Sequence, residues 1–269
     1  MFTDIEAVTR ILRDAAAEEI LPRFQALKEH EIREKERGEL VTVADEAAEK
    51  VISRRLADLL PGSLVVGEEA TAADPRLLDR LAGDGWIWII DPIDGTANFA
   101  RGKTDFAVMA GLLRAGRTAA GWILDVMGDR MAVAEQDAGA WLDGERLQVA
   151  AEAPLGEMRG TLHAGTFAGP EMVRQVQARR ERVGAVKSLR CAGFEYLRLA
   201  RGEMHFSLFT RLMPWDHVPG CIIQSEAGGI ARTLDGDPYG ARSFDAPGLL
   251  LAPGEAAWQA LHGALFGPD

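Results

Sequence analysis

The sequence predicts an α+β half followed by an α/β half, with residues 1–150 as one lobe and 151–269 as the other. Three observations predict it. Between residues 106 and 146, short apolar stretches are separated by tight-turn signals, the pattern of antiparallel strands. Beyond residue 158, strand-like and helix-like stretches alternate, the pattern of an α/β layer with largely parallel strands. The passage between, 150–158, is rich in small and polar residues and contains Pro154. With 269 residues, 47% of them hydrophobic, the chain can bury a large core.

The elements read as follows. Thr3-x-x-Glu6 is a capping box, and Ile5, Val8, Leu12, Ala15 and Ile20 share one helical face until Pro22. Residues 28–39 alternate in charge and read as a solvated connection. Thr42 caps a second helix, from about Val43 to Leu60, that Pro61-Gly62 closes and that holds Asp45 in its first turn. Ser63 to Val66 is a short strand ending at Gly67-Glu68-Glu69. Phe106–Leu113, Thr118–Leu124 and Arg130–Glu135 are meander strands, and Asp143-Gly144 is a hairpin turn. In the second half, Thr161–Ala164 and His205–Phe209 are strands, while Pro170–Arg182 and Phe194–Arg201 are helices. A last helix carries Asp216 at its start, with Pro219 in its tolerated first turn, and stops at Gly228-Gly229. His217 beside Asp216 reads as a surface residue pointing away from it.

Composition excludes several function classes. A net charge of −11 argues against a general nucleic-acid or membrane-surface binder, which needs a basic footprint. Cys191 and Cys221 form no Cys-x-x-Cys pair and read as free, buried thiols in a reducing compartment. No basic leader with an apolar core opens the chain, and no apolar run is long enough to span a bilayer, so a cytoplasmic protein is expected.

The most informative stretch runs from Trp86 to Phe99. Its apolar run ends at Asp91, Pro92 halts strand pairing, and Asp94-Gly95-Thr96 turns the chain. Two carboxylates on a tight turn at a buried strand end suit a hard cation, because oxygen ligands converge there and repel one another without a positive partner. An ordinary Asp-Pro, Asp-Gly turn is the alternative.

This stretch closely resembles the signature of the inositol monophosphatase family: an apolar run, Asp-Pro-Ile/Leu-Asp-Gly-Thr, a small residue, Asn and Phe. Thr42-x-x-Asp45, Gly67-Glu68-Glu69 and Trp215-Asp216 with Glu226-Ala227-Gly228-Gly229 match further family motifs in order and spacing. Pro219 stands where the family usually has Ala. The resemblance implies a layered α-β-α-β-α sandwich of the inositol monophosphatase/fructose-bisphosphatase type, with a site between the lobes. It implies that Glu68, Asp91, Asp94, Asp216 and the Ile93 carbonyl hold two or three Mg²⁺ ions, with most ligands in the first lobe and Asp216 in the second. No cation of the chain is placed among these acids. It implies that Glu68 and Thr96 orient an attacking water, that Asp45 stands behind them or binds a weak third metal, and that the Gly95 and Thr96 N–H groups face the phosphate. Asp91, Ile93, Asp94, Gly95, Thr96, Gly193 and Asp216 are then the expected substrate contacts. Glu68, at the end of an extended strand, is expected to face the site and Glu69 to face away.

The resemblance further implies a lithium-sensitive phosphomonoesterase, a homodimer, acting on a small phosphorylated substrate with no nucleic-acid or membrane partner. Inositol 1-phosphate or a similar polyol or sugar phosphate is the first reading. Histidinol phosphate and a nucleotide 3′-phosphate are alternatives, and a non-catalytic regulator binding RNA or a protein is an alternative of another class. Inositol-specific members carry a carboxylate seven positions before the Asp of Trp-Asp. Phe209 occupies that position here, Arg211 lies nearby, and Phe194 replaces a usual small or hydroxyl residue after Arg190-Cys191-Ala192-Gly193. The pocket is therefore expected to be more apolar or more basic than an inositol site.

Overall fold

The computed structural model describes residues 4–36, 38–165 and 168–268. The Thr3 cap lies outside them. Helix α1 (Ile5–Ala15) is capped by Asp4, whose Oδ1 accepts from the Ala7 N–H at 3.0 Å. The chain continues through wider and tighter turns past Pro22. Residues 28–39 are not simply a solvated connection. They supply β1 (Ile32–Glu36), which pairs antiparallel with β2 (Glu39–Thr42). The charged pattern conceals this strand because its side chains pair with distant carboxylates, Arg33 with Glu46 and Lys35 with Glu68 and Glu69.

Helix α2 (Val43–Leu59) follows with the Thr42 cap in place. Strand β3 (Leu64–Gly67) runs directly into α3 (Glu68–Ala73). Strand β4 (Trp86–Asp94) leads into the short α4 (Thr96–Phe99). Then come β5 (Ala107–Arg114), β6 (Arg117–Asp125), β7 (Arg130–Glu135), β8 (Gly139–Leu142) and β9 (Glu145–Arg146). Strands β3 to β9 form one sheet in chain order, parallel only between β3 and β4. Ala115-Gly116 and Asp143-Gly144 have φ of 48° and 73°, and 48° and 86°, the left-handed pairs that close two-residue hairpins.

The second half contains β10 (Arg159–His163), α5 (Pro170–Arg179), β11 (Gly184–Ala185), α6 (Ala192–Ala200), β12 (Phe206–Phe209), α7 (Pro214–Glu226), β13 (Ile230–Thr233), β14 (Leu249–Ala252) and α8 (Glu255–Phe266). Its sheet has the order β11-β10-β12-β14-β13. Only the pairs around β10 are parallel, and β14 is antiparallel to both neighbours. The sheet is thus mixed rather than largely parallel. Strand β14 follows β13 through a loop, without the helical crossover that a parallel pair needs.

The layers follow from which face each strand residue buries. Along β5, Val108, Ala110 and Leu112 pack toward α1 and α2, while Ala107 and Met109 pack toward α6 and α7. The smaller sheet lies beyond α6 and α7, and α8 covers its outer face through Trp258, Leu261 and Leu265. This is the α-β-α-β-α sandwich. In β4, Ile87 to Ile90 are wholly buried. Each such side chain contributes on the order of 2 kcal/mol, which anchors the strand that delivers Asp91.

Helix α7 begins at Pro214, so Pro219 lies beyond the first turn rather than within it. Glycines let the helix lie close to the sheet. A Cβ on Gly121 would stand 2.8 Å from the Pro219 carbonyl oxygen and 3.0 Å from its Cα. This close approach seats the N-terminal turn of α7, with Asp216, over the end of β4.

Candidate active site

Strand β4 is irregular where its carboxylates stand. Asp91 pairs with Met109 and Asp94 with Ala107, and the register shifts between them. Residues three apart on a regular strand face opposite sides, so this bulge at Pro92 is what allows both carboxylates to meet. Gly95 has φ of 90°, and a Cβ there would stand 3.0 Å from the Asp105 carbonyl oxygen. Only glycine combines that backbone with that contact.

Carboxylate oxygens of Asp91, Asp94 and Asp216 lie within 4.8 Å of one another. Three acids this close repel one another when ionised unless protons or a cation relieve them. Asp94 is held from the start of α6. The Ala192 N–H donates to its Oδ1 at 3.1 Å, and the Gly193 N–H and Cys191 Sγ donate to its Oδ2 at 2.6 and 2.9 Å. The Gly193 amide thus serves Asp94 rather than an open pocket. Asp45 accepts from the Thr42 N–H and hydroxyl at 2.8 and 2.5 Å, and from the Thr96 hydroxyl at 3.0 Å. It is therefore both a helix-cap partner and a neighbour of the site. The Thr96 hydroxyl also lies 2.9 Å from the Ile93 carbonyl oxygen.

Glu68 and Glu69 do not alternate as strand residues would. Both open α3, and both contact Lys35, whose Nζ lies 2.7 Å from Glu68 Oε1 and 2.9 Å from Glu69 Oε1. A cation of the chain is therefore among the acids. Strand β1, which sequence reasoning missed, carries it. Glu49, also missed, accepts from the Glu69 and Ala70 N–H groups at 2.8 Å each and so caps α3. The spacing of Glu49 on α2 resembles an ordinary solvated acid, so nothing local marks it.

Burial dominates the electrostatics. It raises the Asp91 carboxyl well above its usual range, reinforced by the charges of Glu68, Asp94, Asp216 and Asp45. Burial likewise lifts Asp94 to about 6 and Asp45 to about 7. It raises Glu68 against the opposing charge of Lys35, and raises Asp216 against that of Arg211. Burial works against the Lys35 ammonium, but Glu68 and then Glu69 outweigh it and raise its pKa. Asp91 Oδ1 is buried without any hydrogen-bond partner. A converging set of buried carboxylates with an orphaned oxygen fits a divalent cation.

A cavity of about 340 Å³ adjoins the cluster, with Asp94 and Asp216 in its lining and His163, Arg190, Phe209 and Arg211 among its other lining residues. Phe194 packs partly buried against the core between the sheets. His217 is not a surface residue. It is 1% exposed, with Nδ1 2.9 Å from the Tyr196 hydroxyl and Nε2 2.8 Å from the Arg211 carbonyl oxygen. Its burial pushes its pKa down to about 3. The run of apolar residues around Trp215 was the only sequence signal for that burial.

The sequence profile of the inositol monophosphatase family matches residues 3–266. The chain is 30% identical over 204 residues to the inositol-1-monophosphatase of Bacillus subtilis, covering 75% of each chain. It is 29% identical over 198 residues to a fructose-1,6-bisphosphatase/inositol-1-monophosphatase of Thermotoga maritima, covering 74% of this chain and 73% of that one. Among solved structures, the extragenic suppressor protein suhB from Bartonella henselae superposes with a TM-score of 0.82 at 23% identity, over 98% of this chain and all of that one.

Proposed function

The chain belongs to the inositol monophosphatase family, and on that premise we propose that it is a Mg²⁺-dependent phosphatase of a small phosphate monoester, inositol 1-phosphate or a similar polyol or sugar phosphate. The observation that carries the reading is the convergence of Asp91, Asp94 and Asp216 around the unpartnered Asp91 Oδ1. With Glu68 and the Ile93 carbonyl, these residues would hold two or three Mg²⁺ ions. Bound Mg²⁺ supplies positive charge for the phosphate and the departing oxygen, and acidity for a water.

The chain's own residues supply the rest. The Thr96 hydroxyl and Glu68 orient the attacking water, and the Thr96–Asp45 hydrogen bond gives a proton a place to go at Asp45 Oδ1. The Gly95 and Thr96 N–H groups donate to the phosphate, because the first amides of a helix have no intrahelical partner. No side-chain nucleophile is required. Lithium inhibition, a cytoplasmic setting and a homodimer belong to the same reading.

The test is phosphate release from a panel of monoesters: inositol 1-phosphate, histidinol phosphate, a nucleoside 3′-phosphate and sugar phosphates. Mg²⁺ should support turnover, and Ca²⁺, content with irregular geometry, should inhibit. Full activity after exhaustive chelation would sink the metal reading. Asp216→Asn should lose about 10²-fold or more in turnover while staying folded.

A further inference from the structure

The cavity beside the carboxylates is lined by groups of both signs. Besides Asp94 and Asp216, its lining includes His163, Arg190 and Arg211, with Phe209 and Thr210. The basic residues come from three separate segments, the end of β10, the residues before α6 and those after β12. A chain of net charge −11 does not bring three such groups together by composition alone.

Each is held in place. Arg190 has φ of 60°, a left-handed backbone that residues with a Cβ disfavour, and its N–H donates to Ser188 Oγ at 2.9 Å. Among the described residues its guanidinium has no hydrogen-bond or ion-pair partner. Arg211 is ion-paired with Glu39. Its loop is pinned from beneath, because His217 Nε2 donates to the Arg211 carbonyl at 2.8 Å and the Tyr239 hydroxyl to that of Leu212 at 3.1 Å. The His163 ring stacks on Phe209 with centroids 4.7 Å apart, and its Nε2 lies 3.0 Å from Glu195 Oε1.

Among the described residues, the lining beyond Asp94 and Asp216 offers no further side-chain carboxylate. Glu195 is fully buried and already accepts from Thr161, from Ser207 Oγ at 3.3 Å and from the Leu189 N–H at 3.2 Å. Asp94 accepts from three donors of its own. Phe209 offers only a ring. The hydroxyls of a neutral polyol need acceptors as well as donors, whereas an anion needs donors and positive charge. Arg190 and Arg211 supply the second set.

From this we infer that the alcohol part of the substrate carries a second anionic group, a carboxylate or a further phosphate, which Arg190 and Arg211 bind while the ester phosphate sits at the carboxylate cluster. This rests on the phosphatase reading and narrows it. It also disfavours an amine-bearing alcohol such as that of histidinol phosphate.

Matched esters test it. 3-Phosphoglycerate and glycerol 3-phosphate share a carbon skeleton and differ only in a carboxylate against a hydroxymethyl group. Fructose 1,6-bisphosphate and fructose 1-phosphate make the same comparison for a second phosphate. In at least one pair the anionic member should have a kcat/KM about tenfold higher or more. Arg190→Ala should reduce that preference to about threefold or less, lowering kcat/KM for the anionic member more than for the neutral one. Neutral members hydrolysed as well as anionic ones, or an Arg190→Ala loss equal for both, would overturn the inference while leaving the phosphatase reading intact. Absence of hydrolysis for every ester would instead overturn the phosphatase reading. Calorimetric binding of the same pairs in Ca²⁺ then judges the inference alone, and equal affinity or no binding would end it.

Discussion

Lys35 Nζ lies 2.7 Å from Glu68 Oε1, with both side chains only 14% exposed. The acidic cluster thus contains a cation of the chain's own. That ammonium also reaches Glu69, so one residue of β1 neutralises both acids that open α3. A divalent ion that binds Glu68 must compete with this pair. Lys35→Met should therefore lower the Mg²⁺ concentration needed for half-saturation and destabilise the metal-free protein. Removing one partner of a buried pair costs about 3 kcal/mol, and somewhat less where the remaining acids can protonate. Thermal unfolding in chelator and a Mg²⁺ titration of the variant measure the two effects. An unchanged or weakened Mg²⁺ response would show that Lys35 does not compete for Glu68.

Glu68 and Glu69 share Lys35 but differ in what else they face. Glu68 interacts with Asp45, Asp91 and Asp216. The backbone of Glu69 is instead tied to Glu49 at 2.8 Å. Glu68→Gln should reduce turnover about 10²-fold or more, and Glu69→Gln by no more than about tenfold. Both variants should melt within a few degrees of wild type. Steady-state phosphate release at saturating Mg²⁺ compares them, and the reverse ranking would move the ligand assignment by one residue.

What was legible in the sequence was local. The Asp91–Thr96 turn could be read because a strand end, a proline and a left-handed glycine are all written within a few residues. The Thr42–Asp45 box and the Asp143-Gly144 hairpin were readable for the same reason. Lys35 was not, since its partners lie 33 and 34 positions away and its strand carries no apolar pattern. The His163–Glu195 contact was hidden similarly, because a buried polar pair leaves no periodicity to detect. The mixed order of the second sheet depends on whether a loop or a helix returns the chain, which strand patterns alone do not encode.

The junction of β3 and α3 makes a separate prediction about stability. A Cβ on Gly67 would stand 2.5 Å from Glu49 Oε2, the carboxylate that caps α3. Gly67→Ala should force Glu49 off its two amides and cost about 1–3 kcal/mol. Glu49→Ala removes the same cap by another route and should cost a similar amount. Because the two changes remove one interaction, the double variant should be less destabilised than their sum. Chemical denaturation of the three proteins measures this. Additive losses would show that the cap is not what Gly67 makes room for.

The carboxylate cluster should make the metal-free protein less stable as pH rises. Burial lifts Asp94 to about 6 and Asp45 to about 7, and, with the charge of Glu68, lifts Glu69 to about 8. In the unfolded chain such groups titrate near ~4. Across the interval between, the folded protein holds more protons than the unfolded chain, so the unfolding free energy falls with increasing pH. The stabilisation from these protons is complete below about pH 4 and is lost as pH passes through about 6 to 8. In chelator, Tm should therefore drop by several degrees between about pH 5.5 and 8.5. Saturating Mg²⁺ should cancel or reverse the drop, because cations then supply the positive charge that protons supply in the metal-free state. Asp91→Asn should flatten the chelator profile, since it removes the carboxylate that burial and four neighbouring acids raise together. A metal-free Tm that stays level or rises across this range would show that the acids are ionised and relieved by something other than protons.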